Sequence, residues 1–171
     1  MVEHLKKLLT DQIALMRAAV QVLDESRIRV SAFADRLDSE LTMSERESCE
    51  ALTSRFARLN TFLLQRVFRT LDQIELADEG TVLDRLQRAE ARGLISSAER
   101  WRELRLLRNA IAHDYLIESV DRVLRESLIA APELIETAEC VGRYVHAKGY
   151  SGESSYSPLT PRQSSETGSE L

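Results

Sequence analysis

The residues best suited to chemistry lie together in one mid-chain stretch, RNAIAHDY, which spans residues 108–115. Of the three histidines in the chain, His113 is the one set in a mid-chain polar cluster, and an imidazole exchanges protons near neutral pH. Arg108 is permanently charged, and its planar guanidinium matches the oxygen atoms of a phosphate. These residue types suit a reaction at a phosphodiester.

RNA is the phosphodiester that such a stretch can cut without a metal, because the 2′-hydroxyl of RNA is an internal nucleophile. The site needs one group that moves a proton and one cation that faces the phosphate oxygens. His113 fits the first role and Arg108 the second, while the amide of Asn109 can orient either the imidazole or the phosphate. The expected product carries a 2′,3′-cyclic phosphate.

The spacing R-x-x-x-x-H-x-Y, with an asparagine directly after the arginine, resembles the signature of the HEPN-domain family. Within that family the chain looks most like the HepT toxins, which are encoded beside a minimal nucleotidyltransferase. The resemblance implies an all-helical, homodimeric, metal-independent endoribonuclease that acts as the toxin of a type II toxin–antitoxin pair. It assigns catalysis to Arg108 and His113. The likeness covers the signature, and the rest of the chain adds a compatible helical architecture.

The resemblance also implies a role for Tyr115. In HepT systems the partner nucleotidyltransferase attaches AMP to the tyrosine at this position of the motif. AMP adds negative charge and bulk where an RNA phosphate must lie, so the modification would block the site by repulsion and occlusion. A second interpretation is that the Tyr115 hydroxyl simply forms a hydrogen bond within the cluster.

Helical geometry restricts how the signature can act. At about 100° per residue, Arg108 and His113 are about 140° apart on an ideal helix, whereas Asn109 shares a face with His113 and Tyr115 shares one with Arg108. One continuous helix therefore does not direct Arg108 and His113 at a single phosphate. Either the helix unwinds near His113, or two copies of the chain contribute to one cleft. The second arrangement agrees with the resemblance, because HEPN proteins are usually dimers.

Two other functions remain open at this point. The first is a non-catalytic HEPN module that binds nucleotide or presents a substrate to a nucleotidyltransferase. The second is a structural helical adaptor whose polar cluster only closes a turn. Retention of both Arg108 and His113 favours the enzyme, and their location in one open cleft would argue against the adaptor.

A series of arginines follows the second predicted helix, at positions 46, 55, 58, 66 and 69. Such a series is typical of a solvated helix face with ordinary charge pairs. It can also follow the phosphates of a nucleic acid or dock a partner protein. On the second interpretation, Arg55, Arg58 and Arg66 are the candidate contacts to RNA or to the partner.

Apolar residues at three- and four-residue steps predict the helices that position these side chains. The first helix spans about residues 2–25 and the second about 44–74, where Thr42 or Ser44 can act as the N-cap and Ser44 has capping-box spacing to Glu47. Phe33 and Leu37 are expected to anchor the segment between these two helices.

The sequence pattern in the second half of the chain predicts three more helices. Thr81 with Asp84 caps a short one that ends at Gly93, and a serine at 96 or 97 opens the helix that carries the signature. The last helix begins near residue 118, and Pro132 should kink or split it. The prediction is an all-α, up-and-down bundle of four to five helices, HEPN-like, in residues 1–148.

Composition agrees with one helical domain followed by a tail. Apolar residues are 43% of the chain and aromatic residues only 5%, so aliphatic side chains must fill most of the core. We expect Trp101 to be a core residue rather than a platform on which bases stack. Residues 149–171 are rich in Ser, Gly, Pro, Thr and Glu, and we expect a disordered polar tail there. The net charge of −5 argues against a non-specific coat for nucleic acids, although it permits a local basic site.

Other classes of site and location are disfavoured. Cys49 and Cys140 match no zinc spacing together with the histidines, so we expect two buried, reduced thiols, no metal and no cofactor. The first residues lack the apolar run of a secretory peptide, and no stretch reaches the roughly 20 apolar residues of a membrane span. We therefore expect a cytoplasmic protein without membrane contact.

Overall fold

The computed structural model describes residues 1–37, 40–113 and 117–150, without the side chains of residues 113 and 117–120. The described residues form an all-α bundle without strands, which confirms the predicted fold class. The bundle consists of α1 (Val2–Ser31), a 3₁₀ turn (Ala34–Arg36), α2 (Met43–Phe62), a π-helical turn (Leu63–Val67), α3 (Phe68–Ile74), α4 (Val82–Ala91), α5 (Ala98–His113) and α6 (Ile117–Ala147). Because α2, the π turn and α3 follow one another without a break, these elements make five rods.

Helix α1 is longer than its sequence pattern predicted, and it ends at Ser31 rather than near residue 25. Ser26 and Val30 continue its buried face for another turn. Ser26 is polar, so it interrupts the apolar pattern, yet its hydroxyl accepts a hydrogen bond from Arg55 of α2. A buried hydroxyl with a partner is tolerated in a core. Phe33 and Leu37 are buried after this helix, as predicted.

The start of α2 is set by Thr42, which was one of two predicted caps. The Thr42 hydroxyl accepts a hydrogen bond from the backbone N–H of Glu45, and the Glu45 carboxylate accepts one from the backbone N–H of Thr42. This is a capping box. The alternative pairing of Ser44 with Glu47 was wrong, because the helix already begins at Met43.

The π turn changes which side chains of the long second rod face outward. A π turn inserts one extra residue into a helix, and such turns are frequent at functional sites. Leu63, Leu64 and Val67 are all buried here, while Gln65 and Arg66 between them are exposed. The turn therefore keeps the core contact continuous and leaves two polar side chains on the surface.

The caps of α4 and α5 agree with the sequence. Thr81 and Asp84 form a second capping box, and Gly93 adopts φ +70° just after α4, a conformation that favours glycine. Ser97 caps α5, because its hydroxyl accepts a hydrogen bond from the backbone N–H of Arg100. These caps fix where the signature helix starts.

Helix α6 runs continuously from Ile117 to Ala147 with Pro132 inside it, so the prediction that Pro132 splits the helix was wrong. Proline removes one backbone donor and leaves a carbonyl one turn earlier without its usual partner. Pro132 lies on the exposed side of α6, where water can satisfy that carbonyl. No helix in the described part of the chain is long and apolar enough to cross a membrane.

A buried group of charges joins α3 to α4, and we call it the Asp72 cluster. Asp72 is 5% exposed and accepts hydrogen bonds from Nη2 of Arg88 at 2.8 Å and Nη1 of Arg92 at 2.6 Å. Nε of Arg85 lies 3.8 Å from the same carboxylate, and Arg92 also donates to Glu75 at 2.8 Å. The cluster holds α4 against the end of the second rod.

The predicted tail starts two residues too early. Gly149 adopts φ +63° after α6, and the half-buried Tyr150 packs against the core, where its hydroxyl donates a hydrogen bond to Glu75 at 3.3 Å. Tyr144 donates to the same carboxylate, and burial together with that bond raises the pKa of Tyr144 to about 12. The helical domain therefore extends to residue 150. Residues 151–171 lie outside the described residues.

This boundary gives a truncation experiment. We expect deletion of residues 151–171 to leave the melting temperature nearly unchanged, because their composition offers too few apolar side chains to join the core. Deletion from residue 149 removes Tyr150 and its hydrogen bond to Glu75, and the free energy of unfolding should fall by about 1–2 kcal/mol. Urea denaturation of both truncated chains measures the difference. Equal stability of the two would contradict the role given to Tyr150.

The two cysteines differ in their surroundings. Both are free thiols, but only Cys49 is buried, and burial raises the pKa of its thiol. Cys140 is half-buried, and its sulfur accepts a hydrogen bond from Arg143 at 3.1 Å. The prediction of two buried thiols was therefore correct for Cys49 and wrong for Cys140.

Candidate functional site

The position of the candidate site follows from how α5 is anchored. Trp101 and Leu104 are almost fully buried on one face of α5, as the sequence predicted for Trp101. The Trp101 ring packs on Phe68 with 5.4 Å between ring centroids. This contact fixes the rotation of α5 about its own axis. Since α5 packs beside α2, the residues that follow Leu107 lie at the α2 side of the bundle.

Arg108 is tied to α2 by a hydrogen bond between side chains. Its Nε donates to Oγ1 of Thr61 at 2.8 Å, and its Nη1 donates to Oδ1 of Asn109 at 3.0 Å. An arginine has five N–H donors in a planar fork, more than these two bonds require. The guanidinium is therefore held in a defined orientation, as a phosphate-binding arginine must be.

Arg108 forms part of the wall of an open groove between α1, α2 and α5. The groove has a volume of about 830 Å³, which is within the usual range for ligand sites. Its walls combine apolar side chains with cationic and hydroxyl groups. The lining residues are Leu15, Ala19, Thr53, Ser54, Ala57, Arg58, Thr61, Phe62, Gln65, Arg66, Arg108, Ile111 and Ala112.

The three arginines that were candidate RNA contacts have two different kinds of surroundings. Arg58 and Arg66 are exposed and line the groove together with Arg108. Arg55 does not line it. Instead, Nη1 of Arg55 donates to the backbone carbonyl of Val22 at 3.0 Å and to the Ser26 hydroxyl. Arg55 thus cross-links α2 to α1, a role that neither interpretation of the arginine series predicted.

The remaining residues of the signature are described only in part. The backbone is helical through His113, the last residue of α5, while its side chain is not described. Asp114 and Tyr115 lie outside the described residues. The backbone of α5 stays helical as far as His113, and the two arrangements that the sequence allowed, a helix that unwinds near His113 or two contributing copies, stay predictions.

Thr61 is the residue that sequence reasoning missed. Thr61 lies on a helix 47 residues before Arg108, and no local sequence motif marks it. One signal was available, since Thr61 falls on the same helix as Arg58 and Arg66. Only the packing of α5 against α2 identifies it as the acceptor for Arg108.

The comparisons with known proteins leave the site to be interpreted from its own geometry. No family model, no curated protein and no solved structure matches this chain. Within residues 1–37, 40–113 and 117–150, no group of three or more His, Cys, Asp or Glu side chains is arranged to hold a metal ion. The groove offers three guanidinium groups, hydroxyls and an apolar wall. This combination can bind a phosphate and pack against a base or a sugar.

Proposed function

We propose that this protein is a metal-independent endoribonuclease toxin of the HepT type, acting on RNA in the cytoplasm. One observation carries the proposal. Arg108 is held by Thr61 and Asn109 at the wall of an open groove that Arg58 and Arg66 also line, on a helix whose last residue is His113. Cationic groups that are fixed before the substrate arrives stabilise developing negative charge without reorganisation.

The proposed chemistry uses the RNA as its own nucleophile. The 2′-oxygen attacks the adjacent phosphorus, the bond to the 5′-oxygen of the next nucleotide breaks, and the products are a 2′,3′-cyclic phosphate and a 5′-hydroxyl. His113 accepts the proton of the 2′-hydroxyl or gives a proton to the leaving 5′-oxygen, and water makes the other of these two proton transfers. Arg108 faces the non-bridging oxygens, where charge accumulates, and Asn109 keeps its guanidinium in place.

A homodimer would complete this site. Positions 108 and 113 of an ideal helix face directions about 140° apart, so we propose that a second copy brings its histidine to the phosphate that Arg108 holds. The apolar side chains that line the groove together, Leu15, Phe62 and Ile111, support such an association, and Leu15 is 61% exposed. Exposed apolar surface of this kind is typical of interaction sites.

The direct test is cleavage of RNA in the presence of EDTA. We expect the purified protein to cut a single-stranded RNA oligonucleotide and to leave a 2′,3′-cyclic phosphate, which mass spectrometry identifies from the fragment masses. The same oligonucleotide with a 2′-O-methyl group at every position should bind but remain intact, because the internal nucleophile is blocked. Cleavage of the methylated strand, or a requirement for a divalent metal, would contradict the mechanism. RNA binding without any cleavage would instead favour the non-catalytic module.

Control by a minimal nucleotidyltransferase is part of the same proposal, and it rests on the resemblance of the signature to HepT toxins. The partner would transfer AMP from ATP to the hydroxyl of Tyr115, with release of pyrophosphate. The added phosphate would repel the RNA backbone near Arg108.

Intact-mass measurement after incubation with the partner and ATP tests this step. The parent protein should gain mass in increments of AMP, whereas Tyr115→Phe should gain none and still cut RNA. Tyr144→Phe is the matched control, because it removes a tyrosine hydroxyl elsewhere in the chain and should leave the AMP increments unchanged. If Tyr115→Phe acquires the same increments as the parent, Tyr115 is not the target.

A further inference from the structure

A second, smaller pocket lies next to the Asp72 cluster, away from Arg108. It has a volume of about 270 Å³ and lies between the end of the second rod, the segment that follows it and α4. Three arginines line it, Arg69 from α3 and Arg85 and Arg88 from α4. This pocket is not part of the proposed catalytic groove, and none of residues 108–112 of the signature lines it.

The Asp72 cluster holds more positive charge than its own two carboxylates neutralise. Asp72 and Glu75 carry two negative charges, whereas Arg85, Arg88 and Arg92 carry three positive ones. Nε of Arg85 and Nε of Arg88 are buried donors without a hydrogen-bond partner among the described residues. Donors therefore outnumber acceptors in the cluster, and Asp72 holds the guanidinium groups in place.

The pKa of Arg85 agrees with this excess of positive charge. Burial lowers the pKa of Arg85, and repulsion from Arg69 and Arg88 adds to that effect despite the attraction of Asp72. An anion beside these three side chains would relieve the repulsion, since opposite charges attract strongly where water is partly excluded.

Three exposed arginines follow one another along the second rod from the groove to the pocket. Arg58 and Arg66 line the groove, and Arg69, one turn beyond Arg66, lines the pocket. All three side chains are exposed. Eleven residues separate Arg58 from Arg69, which corresponds to roughly 16 Å along a helix. A row of cations of this length can contact the backbone phosphates of a single strand over several nucleotides.

We propose that the Arg69–Arg85–Arg88 pocket is a phosphate subsite that binds the RNA strand at a distance from the cleavage site. The identity of the strand as RNA rests on the proposed function. The subsite binds a backbone phosphate, and Arg58 and Arg66 carry the strand between the pocket and Arg108. Backbone contacts of this kind add affinity and set the register of the strand without reading its sequence.

Asp78 and Glu79 also line the pocket, and they constrain the proposal. Both are exposed, so water and salt screen them more than they screen the half-buried Arg85 and Arg88. A bound phosphate would nevertheless feel their repulsion. Removing one of these charges must therefore strengthen the binding of RNA, whereas removing Arg69 must weaken it.

The test measures binding of a 12-nucleotide RNA that is 2′-O-methylated throughout, by fluorescence anisotropy over a range of salt concentrations. Arg69→Gln is the first variant, because Arg69 is exposed and lies outside the Asp72 cluster. For a single strand, each lost phosphate contact lowers the slope of log affinity against log salt by about 0.7. We expect that decrease for Arg69→Gln, and about twice that decrease for Arg69→Gln combined with Arg58→Gln. Glu79→Gln should bind more tightly than the parent.

Arg29→Gln is the matched control, since Arg29 is exposed on α1 and lines neither pocket. It should leave the salt slope unchanged. An unchanged slope in Arg69→Gln, an equal decrease in Arg29→Gln, or weaker binding by Glu79→Gln would overturn the proposal. Binding of AMP that requires Arg69, with RNA binding indifferent to it, would also overturn the proposal and make the pocket a site for a small phosphate ester.

The two proposals can fail separately, because the methylated strand cannot be cut. If the parent cuts no RNA but the Arg69 effect on binding is present, the subsite stands and the catalytic proposal fails. If cleavage occurs and the Arg69 effect is absent, the catalytic proposal stands and the subsite is wrong. A parent protein that does not bind the 12-nucleotide strand at all refutes the subsite.

Discussion

Replacement of Arg108 with alanine should lower kcat/KM for RNA cleavage by a factor of about 100 or more. In the proposed site Arg108 is the cation that faces the non-bridging oxygens in the transition state, and alanine offers no substitute. The side chain is only half-buried, so the variant should fold normally. His113→Ala should lose a similar factor, because general acid–base catalysis typically contributes on the order of 100-fold or more.

Matched variants separate catalysis from general effects of charge. Arg105→Ala removes an exposed arginine from the same helix outside the groove, and His4→Ala removes an exposed histidine from the start of α1. Both should cut RNA at the parental rate. A loss of activity in either control equal to that in Arg108→Ala or His113→Ala would remove the basis for assigning catalysis to the signature.

Thr61 extends this test to the orientation of the guanidinium. Thr61→Val removes the acceptor at 2.8 Å from Nε of Arg108 and preserves the shape of the side chain. Thr61→Ser retains the hydroxyl. We expect Thr61→Val to lower kcat by about tenfold and Thr61→Ser to remain close to the parent, since one hydrogen bond to a charged group contributes roughly 1.5 kcal/mol. Equal rates for the valine and serine variants would show that Thr61 does not position Arg108.

Replacement of Asp72 with alanine should produce the largest loss of stability. The free energy of unfolding should fall by about 3–5 kcal/mol, because Arg88 and Arg92 would remain near the core without their shared carboxylate. The Asp72 side chain is 7% exposed and that of Arg92 is 9% exposed, so water cannot replace the lost partner. Urea denaturation of the variant and the parent measures the difference.

Asp78→Ala is the matched control for Asp72. It removes a carboxylate from the same region of the chain, but Asp78 is exposed, and the change in the free energy of unfolding should stay within about 0.5 kcal/mol. Asp72→Asn should lie between Asp72→Ala and the parent, because an amide oxygen still accepts one hydrogen bond without carrying charge. A loss of less than 1 kcal/mol in Asp72→Ala would mean that the Asp72 cluster does not hold α4 in place.

Much of the fold was predictable because it depends on local rules. Thr81 with Asp84, and Gly93 two residues after the end of α4, are recognisable from spacing alone. The buried series on α1 follows a period of three and four residues, so the buried face was evident before any partner helix was known. The local rules failed where a long-range contact overrides them. Ser26 continues α1 because Arg55 reaches it, and Pro132 is accommodated inside α6 because it lies on the exposed side.

The candidate site shows the same division. The sequence was sufficient to select Arg108, Asn109 and His113, because their chemistry and their spacing are local properties. It could not distinguish Arg55 from Arg58 and Arg66, since all three are cations on one helix. That distinction depends on which neighbour each arginine meets, and the packing of α1 against α2 assigns Arg55 to Val22 and Ser26.

Tertiary structure alone identified Thr61 as the residue that holds Arg108, and it alone brought three arginines, from α4 and its C-terminal end, to the carboxylate of Asp72. The physical reason is the distance along the chain. A helical period specifies which face of a helix is buried, but it carries no information about which side chain 13 (72 to 85) to 47 (61 to 108) residues away will meet that face. Those pairs exist only once Trp101 has packed on Phe68 and the helices have taken their places in the bundle.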